Sequence, residues 1–141
     1  MRVFLDTNVF LDTIIPGRPC EEISKCIVNL GNVDPLRFCV STLSLANIAY
    51  SARKMLSKSE IRVMMDSFLK RWKILELSAF NIYEAVKSDC PDFEDALQIS
   101  IAESDCDVIV TNNTKDFKGY TTLEVLTPQE FLDKISCPDP A

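Results

Sequence analysis

The chain contains no histidine. That absence removes Ser–His and Cys–His nucleophilic pairs, histidine zinc sites and histidine general bases. Any catalysis must then rest on carboxylates, amides, hydroxyls, lysine or a metal ion. There is no C-x-x-C spacing among the six cysteines, Cys20, Cys26, Cys39, Cys90, Cys106 and Cys137. No apolar run approaches the roughly 20 residues that a membrane-spanning helix needs. The opening residues carry no charged-then-apolar leader, because Asp6 and Asp12 interrupt the only candidate. No membrane association is expected. Buried, inert free thiols in a reducing cytoplasm fit these features better than a secreted disulfide framework. Internal repeats, low-complexity segments and interdomain linkers are also missing.

What is present is enough for one domain with a full core: 141 residues, of which 47% are hydrophobic and 26% charged. Residues 1–135 are expected to form that domain, with 136–141 as a frayed tail. The net charge of −6 argues at first sight against a nucleic-acid partner. Acids committed to divalent ions distort that sum, since two such ions would offset about four charges.

The opening stretch, Met1 to Phe10, reads as a short buried strand over 2–5 ending in the carboxylate of Asp6. A charge placed there is costly to bury without a partner. Helices are expected over 8–15 (Thr7 as cap, Pro16-Gly17 as breaker), from Pro19 to Leu30, and from Ser41 or Thr42 to Met55. Further helices are expected from Ser57 or Ser59 to Lys70, from Ser78 to Lys87, from Asp92 to Ser104, and from Pro128 to Ile135. Strands are expected at 37–40, 72–77, 107–111 and 123–126, and 112–118 reads as a polar loop. Cys26 with Ile23, Ile27 and Leu30, and Leu69 with Ile61, Met64, Met65 and Phe68, are expected on buried helix faces. Strands alternating with helices give an α/β domain: a mainly parallel central sheet of about five strands with helices on both faces. Ligands of such sheets sit beyond the carboxyl ends of the strands, where strand order reverses. Asp6 lies at one such end and the segment 111–116 at another.

Three acids could meet Asp6 there: Asp116 in the loop, and Asp92 and Asp95, which share one side of a helix's first turn. Glu94 between them is expected to point to solvent. Mg²⁺ and Mn²⁺ take oxygen ligands, and a few carboxylates can hold such ions while leaving room for water and a phosphate oxygen. This chemistry needs no histidine. Each acid also has a plain structural role available. Asp6 and Asp92 could be helix caps, Asp92 and Asp95 could form the first turn of a capped helix, and Asp116 could be a turn residue.

Three motifs occur in order: Leu5-Asp6-Thr7-Asn8-Val9, then Asp92-Phe93-Glu94-Asp95-Ala96-Leu97-Gln98, then Ile109-Val110-Thr111-Asn112-Asn113-Thr114-Lys115-Asp116-Phe117. Together they resemble the PIN-domain family, which includes the toxin nucleases of bacterial toxin–antitoxin pairs. The resemblance spans the whole domain. It implies a Mg²⁺- or Mn²⁺-dependent ribonuclease acting on RNA, a small antitoxin protein as partner, and often a homodimer. By position Asp6, Asp95 and Asp116 match the metal-binding, catalytic acids, with Asp92 an additional acid close by. Thr111 and Asn113 match the polar positions around the last acid. One position departs from the pattern. The family usually carries a glutamate on the helix after the second strand, where this chain has Asn47. An amide oxygen can ligate a hard cation, but brings no charge and cannot act as a base. Asn47 could equally be a buried amide with structural partners.

Two functions follow: an active endoribonuclease, or an RNA- or partner-binding module of the same fold with weak or lost catalysis. A phosphotransferase using Asp6 as nucleophile fits less well, since Asn8 stands where a second aspartate would be expected. The run Arg53, Lys54, Lys58, Arg62, Lys70, Arg71 and Lys73 reads first as a solvated helical face. Its phosphate-binding reading singles out Arg53 and Lys54, followed by Lys115.

Overall fold

Residues 1–18, 21–30 and 37–136 are described by a computed structural model. Five strands make one sheet: β1 (Arg2–Leu5), β2 (Arg37–Ser41), β3 (Lys73–Leu75), β4 (Val108–Val110) and β5 (Glu124–Leu126), in the spatial order β3-β2-β1-β4-β5. All four strand pairs are parallel. The chain builds leftward from β1 to β3, then returns to the other side of β1 for β4 and β5. Strand order therefore reverses between β1 and β4, with Leu5 level with Val110. Asp6 and Thr111 are thus neighbours just past the sheet's carboxyl edge, and the Asp6 amide still donates to the Val110 carbonyl at 3.0 Å.

Eight helices are described: α1 (Thr7–Ile14), α2 (Glu21–Leu30), α3 (Thr42–Ala52), α4 (Lys58–Arg71), α5 (Ala79–Lys87), α6 (Phe93–Asp105), α7 (Thr114–Phe117) and α8 (Pro128–Ser136). The period-2 alternation of β1 sorts its side chains onto two faces. Phe4 joins Cys39, Ala96, Ile99 and Ile109 on the face covered by α5 and α6. Val3 and Leu5 join Phe10, Phe38, Ile48, Phe68, Trp72 and Phe131 on the other, against α1 to α4 and α8. Trp72 sits inside this second core, its ring 5.3 Å from those of both Phe10 and Phe38. It is a packing residue and is not placed to stack on a nucleobase.

Several elements differ from the sequence expectation. The third strand is Lys73–Leu75 rather than 72–77, because its partner β2 ends at Ser41, opposite Leu75. The polar loop 112–118 contains the one-turn helix α7, pinned by the buried Phe117. Thr7 does not cap α1. Asp6 does, accepting the Thr7 N–H at 2.8 Å, while Thr7 is the first helical residue. On α2 the buried residues are Ser24 and Ile27, and Cys26 is exposed. On α4, Leu69 is 61% exposed, so only Phe68 of the expected face is fully buried. Cys39, Cys90 and Cys106 are buried free thiols, as expected. Pro19, Cys20, Gly31 and the tail 137–141 lie outside the described residues.

Candidate active site

The site is built where the chain leaves β1 and β4, together with the start of α6. Asp6 ends β1 and is buried. Its Oδ1 accepts the Thr7 N–H, and its Oδ2 accepts the Thr111 hydroxyl at 2.8 Å. Asp6 therefore caps the helix with one oxygen, while the other is engaged by Thr111 at the end of β4. Thr111 Oγ1 also accepts the Asn113 N–H at 3.1 Å. That bond folds the chain after β4 back toward Asp6, and the Asn113 carbonyl accepts the Asp116 N–H at 3.0 Å to start α7. Asn112 fixes the same segment from the other side. Its amide donates to Asn8 Oδ1 at 3.3 Å, and its side chain donates to Asp12. Asp12 is itself buried and compensated by Ser24 (3.2 Å) and Arg18 (3.7 Å).

Asp92 is the N-cap of α6 and accepts the Asp95 N–H at 2.9 Å, so Asp95 stands at the helix's positive end. A cavity of about 290 Å³ is lined by Pro91, Asp92, Asp95, Lys115, Asp116 and Tyr120. This cavity brings together Asp92, Asp95, Asp116 and Lys115 from segments far apart in sequence.

The electrostatics tie Asp6 to the same group. Burial holds the Asp6 carboxyl at about 6, against an ordinary 3.8, with Glu94 and Asp116 adding repulsion and the Thr111 and Thr7 hydrogen bonds opposing it. Asp95 is raised further, to about 7, first by desolvation and then by the charges of Asp92, Asp6, Asp116 and Glu94. Two carboxyls raised by burial, with like charges beside them, make this region a candidate functional site. Among the described residues, no three Asp, Glu or Cys side chains stand close enough to form a ready-made metal cage. The donor set is nevertheless all oxygen, as Mg²⁺ and Mn²⁺ prefer, and its uncompensated negative charge is what a divalent cation would relieve. Asp6, Asp95, Asp116 and Asp92 thus fit such an ion by chemistry.

Glu94 is exposed, as expected, and has one partner across the surface. Its Oε1 accepts the Asn47 side-chain N–H at 2.7 Å, across the gap between α3 and α6. Asn47 is therefore turned to the site's rim with a partner from α6. Arg53 and Lys54 follow the end of α3, roughly 9 Å beyond Asn47 at 1.5 Å per residue. Arg53 donates to the Tyr50 carbonyl at 2.8 Å and lies 3.8 Å over the Tyr50 ring, so it is folded onto its own helix end.

Sequence reasoning did not find the scaffold beneath the acids. The buried Gln98 donates to Ser44 Oγ (2.8 Å) and Thr7 Oγ1 (3.3 Å), and accepts from Ser41 Oγ (2.7 Å). Thr7 in turn donates to Ser44 at 2.8 Å. This knot joins α1, β2, α3 and α6, the elements that carry Asp6, Asn47 and Asp95. The available signal was a glutamine one turn after Asp95 on an otherwise apolar helix face. Gln98→Leu removes three hydrogen bonds from this buried knot, and is expected to lower stability by about 2 kcal/mol. Urea unfolding would measure this, and an unchanged midpoint would contradict it.

The sequence matches the PIN domain family model over residues 2–115. With the all-parallel sheet and the acids at its switch point, this places the chain in the PIN-domain family. Its fold is shared by VapBC2 of Rickettsia felis bound to a promoter DNA fragment, at 23% identity and TM-score 0.65, covering 90% of this chain and 98% of that one. It is also shared by DNA-bound VapBC of Salmonella typhimurium, at 21% identity and TM-score 0.66, covering 91% and 98%. A third is VapC20 of Mycobacterium tuberculosis, described as a sarcin–ricin loop cleaving toxin, at 14% identity and TM-score 0.64, covering 86% and 98%. No curated protein sequence matches.

Proposed function

We propose that this chain is a metal-dependent endoribonuclease and the toxin half of a toxin–antitoxin pair. What supports the reading is the position of Asp6 at the sheet's switch point, the presence of Asp95 and Asp116 on the wall of one cavity, and the repulsion of Asp6 by Asp116 and of Asp95 by both. The raised carboxyls of Asp6 and Asp95 accompany it. In this reading Asp6, Asp95 and Asp116 hold Mg²⁺ or Mn²⁺, with Asp92 beside them. The bound ion supplies Lewis-acid stabilisation of the phosphodiester and activation of the attacking water. Thr111 fixes Asp6 by donating to Oδ2, Asn113 anchors the turn that presents Asp116, and Lys115 at the cavity wall takes a phosphate oxygen. Arg53 and Lys54 would meet only RNA running well beyond the cleaved phosphate. A toxin–antitoxin complex from Klebsiella pneumoniae that shares the fold supports a small antitoxin partner here, and a homodimer is proposed alongside it.

The test is cleavage of a structured RNA by the purified protein with Mn²⁺ or Mg²⁺, abolished by EDTA and weakened by salt. Asn47 favours a second reading, in which the domain binds RNA or its partner without turnover. Mn²⁺ binding with no cleavage of any RNA would establish that alternative.

A further inference from the structure

A second cavity adjoins the acid cavity and has no part in the reading above. It is a cleft of about 440 Å³ along the seam of α5 and α6, and Tyr120 lines both cavities. Its size falls in the ordinary range for small ligands. Tyr120 reaches this place through a turn that glycine adopts most readily. Gly119 stands at φ 91°, and the Tyr120 N–H donates to the Phe117 carbonyl at 3.1 Å. Phe117 is buried, so the turn is anchored in the core while Tyr120 stays 38% exposed. A second exposed ring, Phe80 of α5, also lines the cleft, and the buried Ile99 of α6 forms part of its wall.

The charged groups of the cleft do not suit a phosphate. Glu84 and Glu103 line it with a single lysine, Lys87, whose ammonium lies 3.8 Å from Glu84. The Glu103 carboxylate has no hydrogen-bond or ion-pair partner among the described residues. This lining suits the flat, uncharged base of a nucleotide: rings for its faces and a carboxylate for its N–H groups. Guanine fits it best, because its N1–H and N2–H groups lie side by side and can both donate to one carboxylate. The other bases offer no such adjacent pair. We propose that the α5–α6 cleft is a nucleobase subsite for single-stranded RNA, selective for guanine, with Tyr120 as the stacking platform and Glu103 as the acceptor. This rests on the reading above that the chain acts on RNA, but on neither metal nor turnover. A strand whose phosphodiester lies at the acid cavity passes over Tyr120 and seats a neighbouring base in the cleft. Its backbone stays outside, by the 75% exposed Lys87 side chain at the rim.

Fluorescence anisotropy of short, labelled single-stranded RNA at low salt in EDTA reads binding without cleavage. A probe with one guanine among adenines is expected to bind about 5-fold tighter than the all-adenine probe, the low end for a carboxylate open to water. Tyr120→Ala is expected to weaken both probes about 10-fold, whereas Tyr120→Phe keeps the ring and binds as the wild type does. Glu103→Gln is expected to lose the guanine advantage while holding the all-adenine probe at least as tightly. Glu103 is exposed, so this variant carries the test even where Tyr120→Ala disturbs its turn. Wild-type binding in Tyr120→Ala, a loss in Tyr120→Phe equal to that in Tyr120→Ala, or a guanine preference kept in Glu103→Gln overturns the proposal. If the wild-type protein binds both probes alike, only the subsite fails; if it binds neither, the RNA reading fails with it.

Discussion

Asp6→Asn and Asp95→Asn are each expected to reduce Mn²⁺-dependent RNA cleavage by ~100-fold or more. Lewis-acid stabilisation of a phosphodiester transition state is worth several kcal/mol, and each ~1.4 kcal/mol is tenfold in rate. Both substitutions remove a charged ligand while keeping the local hydrogen bonds. In Asp6→Asn the side-chain carbonyl would still accept the Thr7 N–H, and the Thr111 hydroxyl could rotate to accept from the new amide. At position 95 the backbone N–H remains donated to Asp92. A loss of activity therefore cannot be assigned to unfolding, and circular dichroism of the variants checks this directly. Asp92→Asn is expected to have a smaller effect, since Asp92 already serves the helix through one oxygen. Turnover at the wild-type rate in purified Asp6→Asn or Asp95→Asn would remove these carboxylates from the chemistry.

The parts of this molecule legible in the sequence are those governed by local period and position along the chain. The parallel sheet follows from strands alternating with helices. The meeting of Asp6 with the 111–116 segment follows from where strand order must reverse. Boundaries set by a neighbour were not legible. The third strand stops where β2 stops, which nothing in Glu76 or Leu77 announces. Side-chain partners across elements were hidden for the same reason. Glu94 was expected in solvent because its own helix gives it an outward direction. It is exposed, but its hydrogen-bond partner, Asn47, is 47 positions away. The Gln98 knot likewise depends on two hydroxyls of another helix start and one from α1. The cap at Asp6 was one of two roles open to it in the sequence, and the hydrogen bond from Thr111 to its second oxygen depends on the strand order that brings β4 beside β1.

The same carboxylate should make the metal-free protein more stable as the pH falls toward 5, the reverse of ordinary acid denaturation. The folded Asp6 titrates near 6, whereas the unfolded chain's aspartate titrates near 3.8. Between these values the folded state holds a proton that the unfolded state has released, so stability declines as pH rises through that window. The roughly hundredfold difference in proton affinity corresponds to about 3 kcal/mol in full, of which about 1.4 kcal/mol is gained between pH 7.5 and 5.0. For a chain of this size that is a rise of about 4 °C in thermal midpoint. Asp95, raised to about 7, acts in the same direction; its side chain is partly in water, which screens its share. Glu21, Glu60 and Glu130 are lowered and lose their contributions only at more acid pH, so they leave this window clear. Asp6→Asn should flatten most of the slope and be the more stable protein at pH 7.5, trading stability against function at a site built to hold charge. Mn²⁺ at pH 7.5 should raise the wild-type midpoint, because an ion bound to the native carboxylates alone stabilises the fold by mass action. The gain should be much smaller in Asp6→Asn. Differential scanning fluorimetry across pH 5.0–7.5, with and without Mn²⁺, measures all of these. A wild-type midpoint that falls steadily from pH 7.5 to 5.0 would show that Asp6 is not held protonated by its burial, and the electrostatic basis of the site would go with it.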